Sequence, residues 1–108
     1  SYAPHLAEKE ISGRIMALYG GKTEGGKGVV VTLNRGMSDG VDLGQVFAIY
    51  RDRVSVSYDE SMRRVETPVP EERYGLLFIF RVFDRVAYGL VMEASKPIRI
   101  GDRIRNPK

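Results

Sequence analysis

The residues that could do chemistry in this sequence are few, and their spacing argues against most of it. His5 is the sole histidine. No histidine-pair metal site or two-histidine proton relay can therefore form, and a Ser-His-Asp arrangement would have to recruit this one residue near the N-terminal end. Gly21-Lys22-Thr23 has the ending of a phosphate-binding loop. That motif needs a glycine five positions earlier and a helix afterwards, whereas Met16 stands there and a valine run follows. A flexible turn explains the three residues better. Asp39 and Asp42 share a short segment, but calcium loops need a denser series of oxygen ligands, and turn formation accounts for both. Paired carboxylates for glycoside cleavage need only two acids at a suitable separation, which the sequence leaves open. Asp84 reads as a turn residue and Glu93 as the exposed face of its strand. Cysteine is absent, which removes disulfides, thiol chemistry and cysteine-based zinc. The expectation is a binding or interaction module with no catalytic centre, metal or cofactor.

Arginines and aromatic rings are what remains. Arginine is the commonest cation here and suits flat, bidentate contacts with carboxylates and phosphates. Six tyrosines and four phenylalanines could supply stacking surfaces for bases or sugars, with Tyr50-Arg51 and Phe80-Arg81 the best local examples. The candidate binding residues are Tyr50, Arg51, Arg53, Arg63, Arg64, Arg73 and Arg81. Against them stands a simpler reading: most of the rings are core, and a formal charge of +3 with 14 interspersed acids describes a solvated surface of mixed charge. Nucleic-acid binders carry large patches of one sign, and the aromatic signature of RNA-binding sheets is missing.

These residues need a scaffold, and 108 residues give room for one domain with a modest core. No stretch approaches the roughly 20 apolar residues of a membrane helix. The chain opens Ser1-Tyr2-Ala3-Pro4 without a signal-peptide pattern, and reads as a fragment or processed product. Residues 1–9 read as a tether, with residues 10–108 forming the domain. Ile11, Ile15 and Leu18 have helical spacing, while Ile11, Ile15, Ala17 and Tyr19 alternate as in a strand. Gly13 disfavours a helix by about 1 kcal/mol, and a strand is expected. The glycine-rich segment 20–28 reads as a turn leading into Val29-Val30-Val31-Thr32-Leu33, a strand by its β-branched content. Gln45 to Arg51 is apolar on both faces, as in a strand covered on both sides. Tyr74 to Phe83 and Val86 to Ala94 form a long hairpin, and Ile98 to Arg105 closes the domain. Residues 52–73 break the rhythm with a long polar excursion, although Val54, Val56 and Tyr58 alternate within it. Loops of that length are often functional or disordered.

The chain also echoes itself. Val41-Asp42-Leu43-Gly44-Gln45-Val46-Phe47 parallels Ile98-Arg99-Ile100-Gly101-Asp102-Arg103-Ile104: apolar, polar, apolar, glycine, polar, then strand. Each follows two strands and introduces a third. The fold class expected is all-β: a small closed or partly open six-stranded barrel built from two β-β-turn-β halves, with the long polar loop between them. Closure would remove exposed sheet edges.

Three segments carry a family resemblance. The first is Val31-Thr32-Leu33-Asn34-Arg35-Gly36 with Asp39-Gly40-Val41 and Gly44-Gln45-Val46-Phe47-Ala48-Ile49-Tyr50-Arg51. The second runs from Glu72-Arg73-Tyr74-Gly75 through Phe80-Arg81-Val82-Phe83-Asp84-Arg85-Val86, and the third is the tail from Pro97 to Pro107. Together, over residues 10–107, the chain resembles the C-terminal domain of proteobacterial LysM-domain proteins. A looser likeness links the first segment to C-terminal barrels of flagellar-assembly and cell-shape proteins. The resemblance implies a parent protein of the cell envelope or periplasm that binds peptidoglycan through a LysM module. No stretch of this chain shows that module's pattern, so no sugar-binding residue carries over. The functional expectation is a non-enzymatic accessory domain that contacts another envelope protein or the wall through residues 52–73 and nearby arginines. The alternatives are a basic barrel that binds nucleic acid, an envelope scaffold domain of the flagellar or cell-shape kind, and a hydrolase using two carboxylates.

Overall fold

The computed structural model describes residues 3–51, 54–68 and 72–107. The strands are β1 (Ser12–Leu18), β2 (Glu24–Gly25), β3 (Val30–Leu33), β4 (Val46–Arg51), β5 (Val54–Tyr58), β6 (Arg64–Pro68), β7 (Glu72–Val82), β8 (Ala87–Ala94), β9 (Ile98–Arg99) and β10 (Arg103–Arg105). A 3-10 turn, Met37–Asp39, precedes β4. Six strands close into a barrel in the order β1-β10-β4-β7-β8-β3, with β3 returning to β1. Every barrel pair is antiparallel. The short β2 pairs with β9, and β5 pairs with β6. No helix among the described residues is long and apolar enough to cross a membrane.

The expected six-stranded barrel in two halves is what forms. Its first half is β1, β3 and β4, and its second is β7, β8 and β10. Exchanging β1 with β7, β3 with β8 and β4 with β10 maps the whole ring onto itself. The self-related neighbours, β3 with β8 and β4 with β10, are antiparallel, as a two-fold axis between them requires. The echoed turns occupy equivalent places. Gly44 N–H donates to Ile79 O at 2.8 Å, and Ile79 N–H to Gln45 O at 2.9 Å. In the other half Gly101 N–H donates to Ile15 O at 2.8 Å, and Ile15 N–H to Asp102 O at 2.9 Å. Both glycines sit at positive φ, +87° and +93°, where a residue with a Cβ is strained.

The interior is filled from all sides by Ile15, Leu33, Phe47, Ile49, Leu77, Ile79, Val91 and Ile104, with Val41 and Ile98 of the two echoed turns completing it. Burying a side chain such as Phe47 is worth about 2–3 kcal/mol. The helix-like spacing of Ile11, Ile15 and Leu18 has a structural cause. A register shift between Ile15 and Ala17 against β3 changes the phase of the strand, so these three point inward while Ala17 and Tyr19 are exposed.

Three segments differ from expectation. Residues 20–28 are mostly turn but carry β2, which pairs with β9. Most side chains of residues 3–9 are exposed, as in a tether, yet their backbone is held. His5 N–H donates to Gly44 O and Val46 N–H to His5 O, both at 2.8 Å, and the Asn106 side chain donates to Ala7 O and Lys9 O.

The polar excursion 52–73 is the largest correction. Its described part is not a loop: residues 54–68 form a hairpin, β5 and β6, in full register from Val54↔Pro68 to Tyr58↔Arg64, and Glu72 and Arg73 already belong to β7. The turn is built by Asp59: its N–H donates to Arg63 O, its carbonyl accepts Met62 N–H, and its carboxylate accepts Ser61 and Arg63 N–H at 2.8 and 3.0 Å. Met62 closes the turn at φ +62°, the arrangement of a three-residue hairpin loop. Among the described residues the hairpin pairs with no barrel strand. The radius of gyration is 15.6 Å and the long axis 58 Å, against about 13 Å for the radius of a compact chain this long.

Candidate functional site

The expected binding residues divide among three places. Tyr50 and Arg51 end β4, with Arg73 opposite Tyr50 on β7. Arg81 lies near the far end of β7, roughly 25 Å along the strand from Arg73 at 3.3 Å per residue. Arg63 and Arg64 belong to the hairpin. Arg53 lies outside the described residues.

Tyr50 and Arg51 turn out to be structural. Tyr50 is buried and lies beneath the Arg105 guanidinium, 4.0 Å from the ring centroid, so its ring offers no open stacking face. Arg51 reaches Asp102, 51 positions on, with Nε at 3.0 Å from one carboxylate oxygen and Nη2 at 3.1 Å from the other. The same Nη2 donates to Pro97 O at 2.7 Å, and the guanidinium lies over the Tyr74 ring. Tyr74 Oη donates to Asp102, and Arg99 N–H does so at 2.7 Å. Four donors thus converge on the buried Asp102 carboxylate, three of them on one oxygen and Arg51 Nε on the other, which ties it into the barrel as a structural acceptor. The hydrogen bond to Asp102 is the main cause raising Arg51 above the ordinary arginine value, with burial opposing it. The equivalent residue in the first half, Gln45, plays the same part without charge: Oε1 accepts Asp42 N–H at 2.9 Å, and Nε2 donates to Gly40 O at 3.2 Å.

Arg81 borders an open groove of about 470 Å³ on the outside of the barrel, between Tyr19, Val30, Thr32, Phe80 and Tyr88. Its guanidinium lies 5.5 Å from the Phe83 centroid, and Phe83 meets Tyr88 edge-on at 5.4 Å. Arg73 borders a second hollow with Lys27 and the exposed Glu93. Asp84 is exposed at the β7–β8 turn, where Phe83 N–H donates to Val86 O. Asp39 accepts Gly36 N–H and Asp42 accepts Leu43 N–H, which is turn chemistry. Among the described residues no group of three His, Cys, Asp or Glu is placed to hold a metal.

The hairpin is the part of the molecule that barrel packing leaves unexplained. Val56, Tyr58, Met62 and Val65 are exposed, Tyr58 at 62% and Met62 at 77%, and Arg64 pairs with Glu66 on its surface. The three-residue turn requires a left-handed residue at position 62, but it does not require a methionine there, since glycine would adopt that φ without strain. Alternation in Val54, Val56 and Tyr58 was the one sequence signal for this strand. The polar residues after it hid the return strand.

Fold and surface define a small closed antiparallel β-barrel with an emergent hairpin. No protein-family model matches the chain, and no curated protein matches it.

Proposed function

We propose that this chain is a non-enzymatic interaction domain, and that the β5–β6 hairpin is the element by which it engages its partner. The observation that carries this reading is the hairpin itself: among the described residues it adds nothing to the barrel ladder, yet it presents Tyr58, Met62 and Val65 to solvent. Exposed aromatic and methionine side chains are the residue types that interfaces favour. The resemblance to C-terminal domains of LysM proteins supports a setting in the bacterial cell envelope or periplasm. There a separate module would grip peptidoglycan, and this domain would contact a neighbouring envelope protein or the wall.

The test replaces residues 54–68 with a short Gly/Ser linker. The intact chain and the replaced chain are incubated with purified sacculi and with solubilised envelope proteins at moderate salt. The intact chain is expected to be retained and the replaced chain lost, with barrel unfolding unchanged. Equal retention of both would overturn the assignment to the hairpin.

A further inference from the structure

The hairpin has two outer edges, and they are not equivalent. The Asp59 N–H to Arg63 O bond fixes the phase of the ladder. Residues 59 and 63 form a hydrogen-bonded pair, so in the printed register Ser57↔Val65 and Ser55↔Thr67 do too, while Tyr58↔Arg64, Val56↔Glu66 and Val54↔Pro68 form the alternate kind. In the alternate pairs the backbone N–H and C=O groups point away from the partner strand. The free edge of β5 is therefore made by Val54, Val56 and Tyr58, and that of β6 by Arg64, Glu66 and Pro68.

The β6 edge is guarded. Pro68 has no N–H to offer, and its place on an outward-facing position is where sheets tolerate proline. Self-pairing about Glu66 would set two carboxylates face to face. The β5 edge, Val54-Ser55-Val56-Ser57-Tyr58, carries neither charge nor proline, which are the usual devices against edge-to-edge pairing.

We propose that the free edge of β5 docks a second copy of this chain. Two hairpins join β5 to β5, antiparallel and centred on Val56, into one four-stranded sheet. Val56 then faces its own counterpart, and Val54 faces the counterpart of Tyr58, with reciprocal backbone hydrogen bonds and no like charges opposed. A two-stranded hairpin alone is marginal in water, and further strands stabilise it. Among the described residues this hairpin takes none from the barrel, and a second copy would supply them. The inference rests on reading the hairpin as a contact element, and it leaves the Met62 tip free for the envelope partner.

The test is sedimentation equilibrium of the full chain over rising concentration, beside Val56→Pro and Glu66→Pro. Both substitutions remove an outward N–H and spare the bonds inside the hairpin, but on opposite edges. The wild type and Glu66→Pro should dimerise, and Val56→Pro should remain monomeric. A monomeric wild type at the highest concentration overturns the proposal, as does equal behaviour of the two variants. Amide exchange on the wild type gives a readout without mutation: the Val56 and Tyr58 amides should gain protection as concentration rises, and the Arg64 and Glu66 amides should not. Protection independent of concentration is a second refutation. Envelope-component capture by a monomeric chain would leave the proposed function standing while this inference falls. Dimerisation with capture unaffected by replacing the hairpin would do the reverse.

Discussion

The Arg51 guanidinium meets both carboxylate oxygens of Asp102, at 3.0 and 3.1 Å, from 51 positions earlier in the chain. The contact joins the end of β4 to the turn that opens β10, where the second half of the barrel closes on the first. Asp102 is 4% exposed, so removing it takes the acceptor from Arg51 Nε, the Tyr74 hydroxyl and the Arg99 N–H in a mostly buried setting.

Asp102→Ala is expected to cost about 3 kcal/mol, a fall in Tm of at least about 10 °C for a domain this size. Arg51→Ala should cost less, because Arg51 is partly exposed, 29% of its side chain, and its removal admits water beside Asp102. A double-mutant cycle by chemical denaturation should give a coupling of about 1–2 kcal/mol. Additive losses would show that the two residues act independently.

The same pair sets a pH expectation. Arg51 is raised in the folded state, so its contribution is complete below the ordinary arginine value and lost only as pH rises through the higher folded value. Across neutral and mildly alkaline pH, wild type and Arg51→Ala should keep a constant difference in denaturation midpoint. A difference that shrinks between pH 7 and about pH 10 would contradict this.

The two turn glycines separate conformational strain from crowding. At Gly101 a Cβ meets nothing, so Gly101→Ala should cost the left-handed backbone penalty alone, about 1–2 kcal/mol. At Gly44 a Cβ would also lie 3.0 Å from Ala3 O and 3.1 Å from the His5 ring. Gly44→Ala should therefore cost more, and trimming residues 1–6 from it should narrow the gap. Equal losses for Gly44→Ala and Gly101→Ala would show that the N-terminal segment is not packed there.

Met62→Gly relieves a strained φ of +62° and should stabilise the hairpin by about 0.5–1 kcal/mol. The measurement is amide exchange at Asp59 and Arg63, which should slow, while barrel amides such as Ile79 stay unchanged. If the Met62 side chain is a contact, the same variant loses partner retention as it gains hairpin order.

Binding to single-stranded nucleic acid should be weak. Arg51 is committed to Asp102, and the remaining described candidates are spread over the two ends of β7 and the hairpin. The slope of log affinity against log salt should be no steeper than about −3, with Arg81→Ala flattening it slightly. A steep slope would point to a continuous basic track.

The sequence alone determined the class of fold and its symmetry. Val29 to Leu33, Gln45 to Arg51 and the Tyr74–Ala94 hairpin are legible because alternation and β-branched content are local properties. The echoed Val41–Phe47 and Ile98–Ile104 segments are legible because each repeats one local solution: an apolar anchor, a left-handed glycine and a buried polar cap. Tertiary structure decided everything that depends on partners distant in sequence. Tyr50-Arg51 is an exposed stacking pair on paper and a buried lock in the fold, since Asp102, Tyr74 and Arg105 reach it only when the barrel closes. The Ile15/Ala17 bulge exists only against β3, and gives a strand the spacing of a helix. The return strand β6 carries little apolar signal, because a hairpin exposed on both faces has no core to pattern it. Its register, and with it the unguarded edge of β5, comes from the backbone ladder that Asp59 starts.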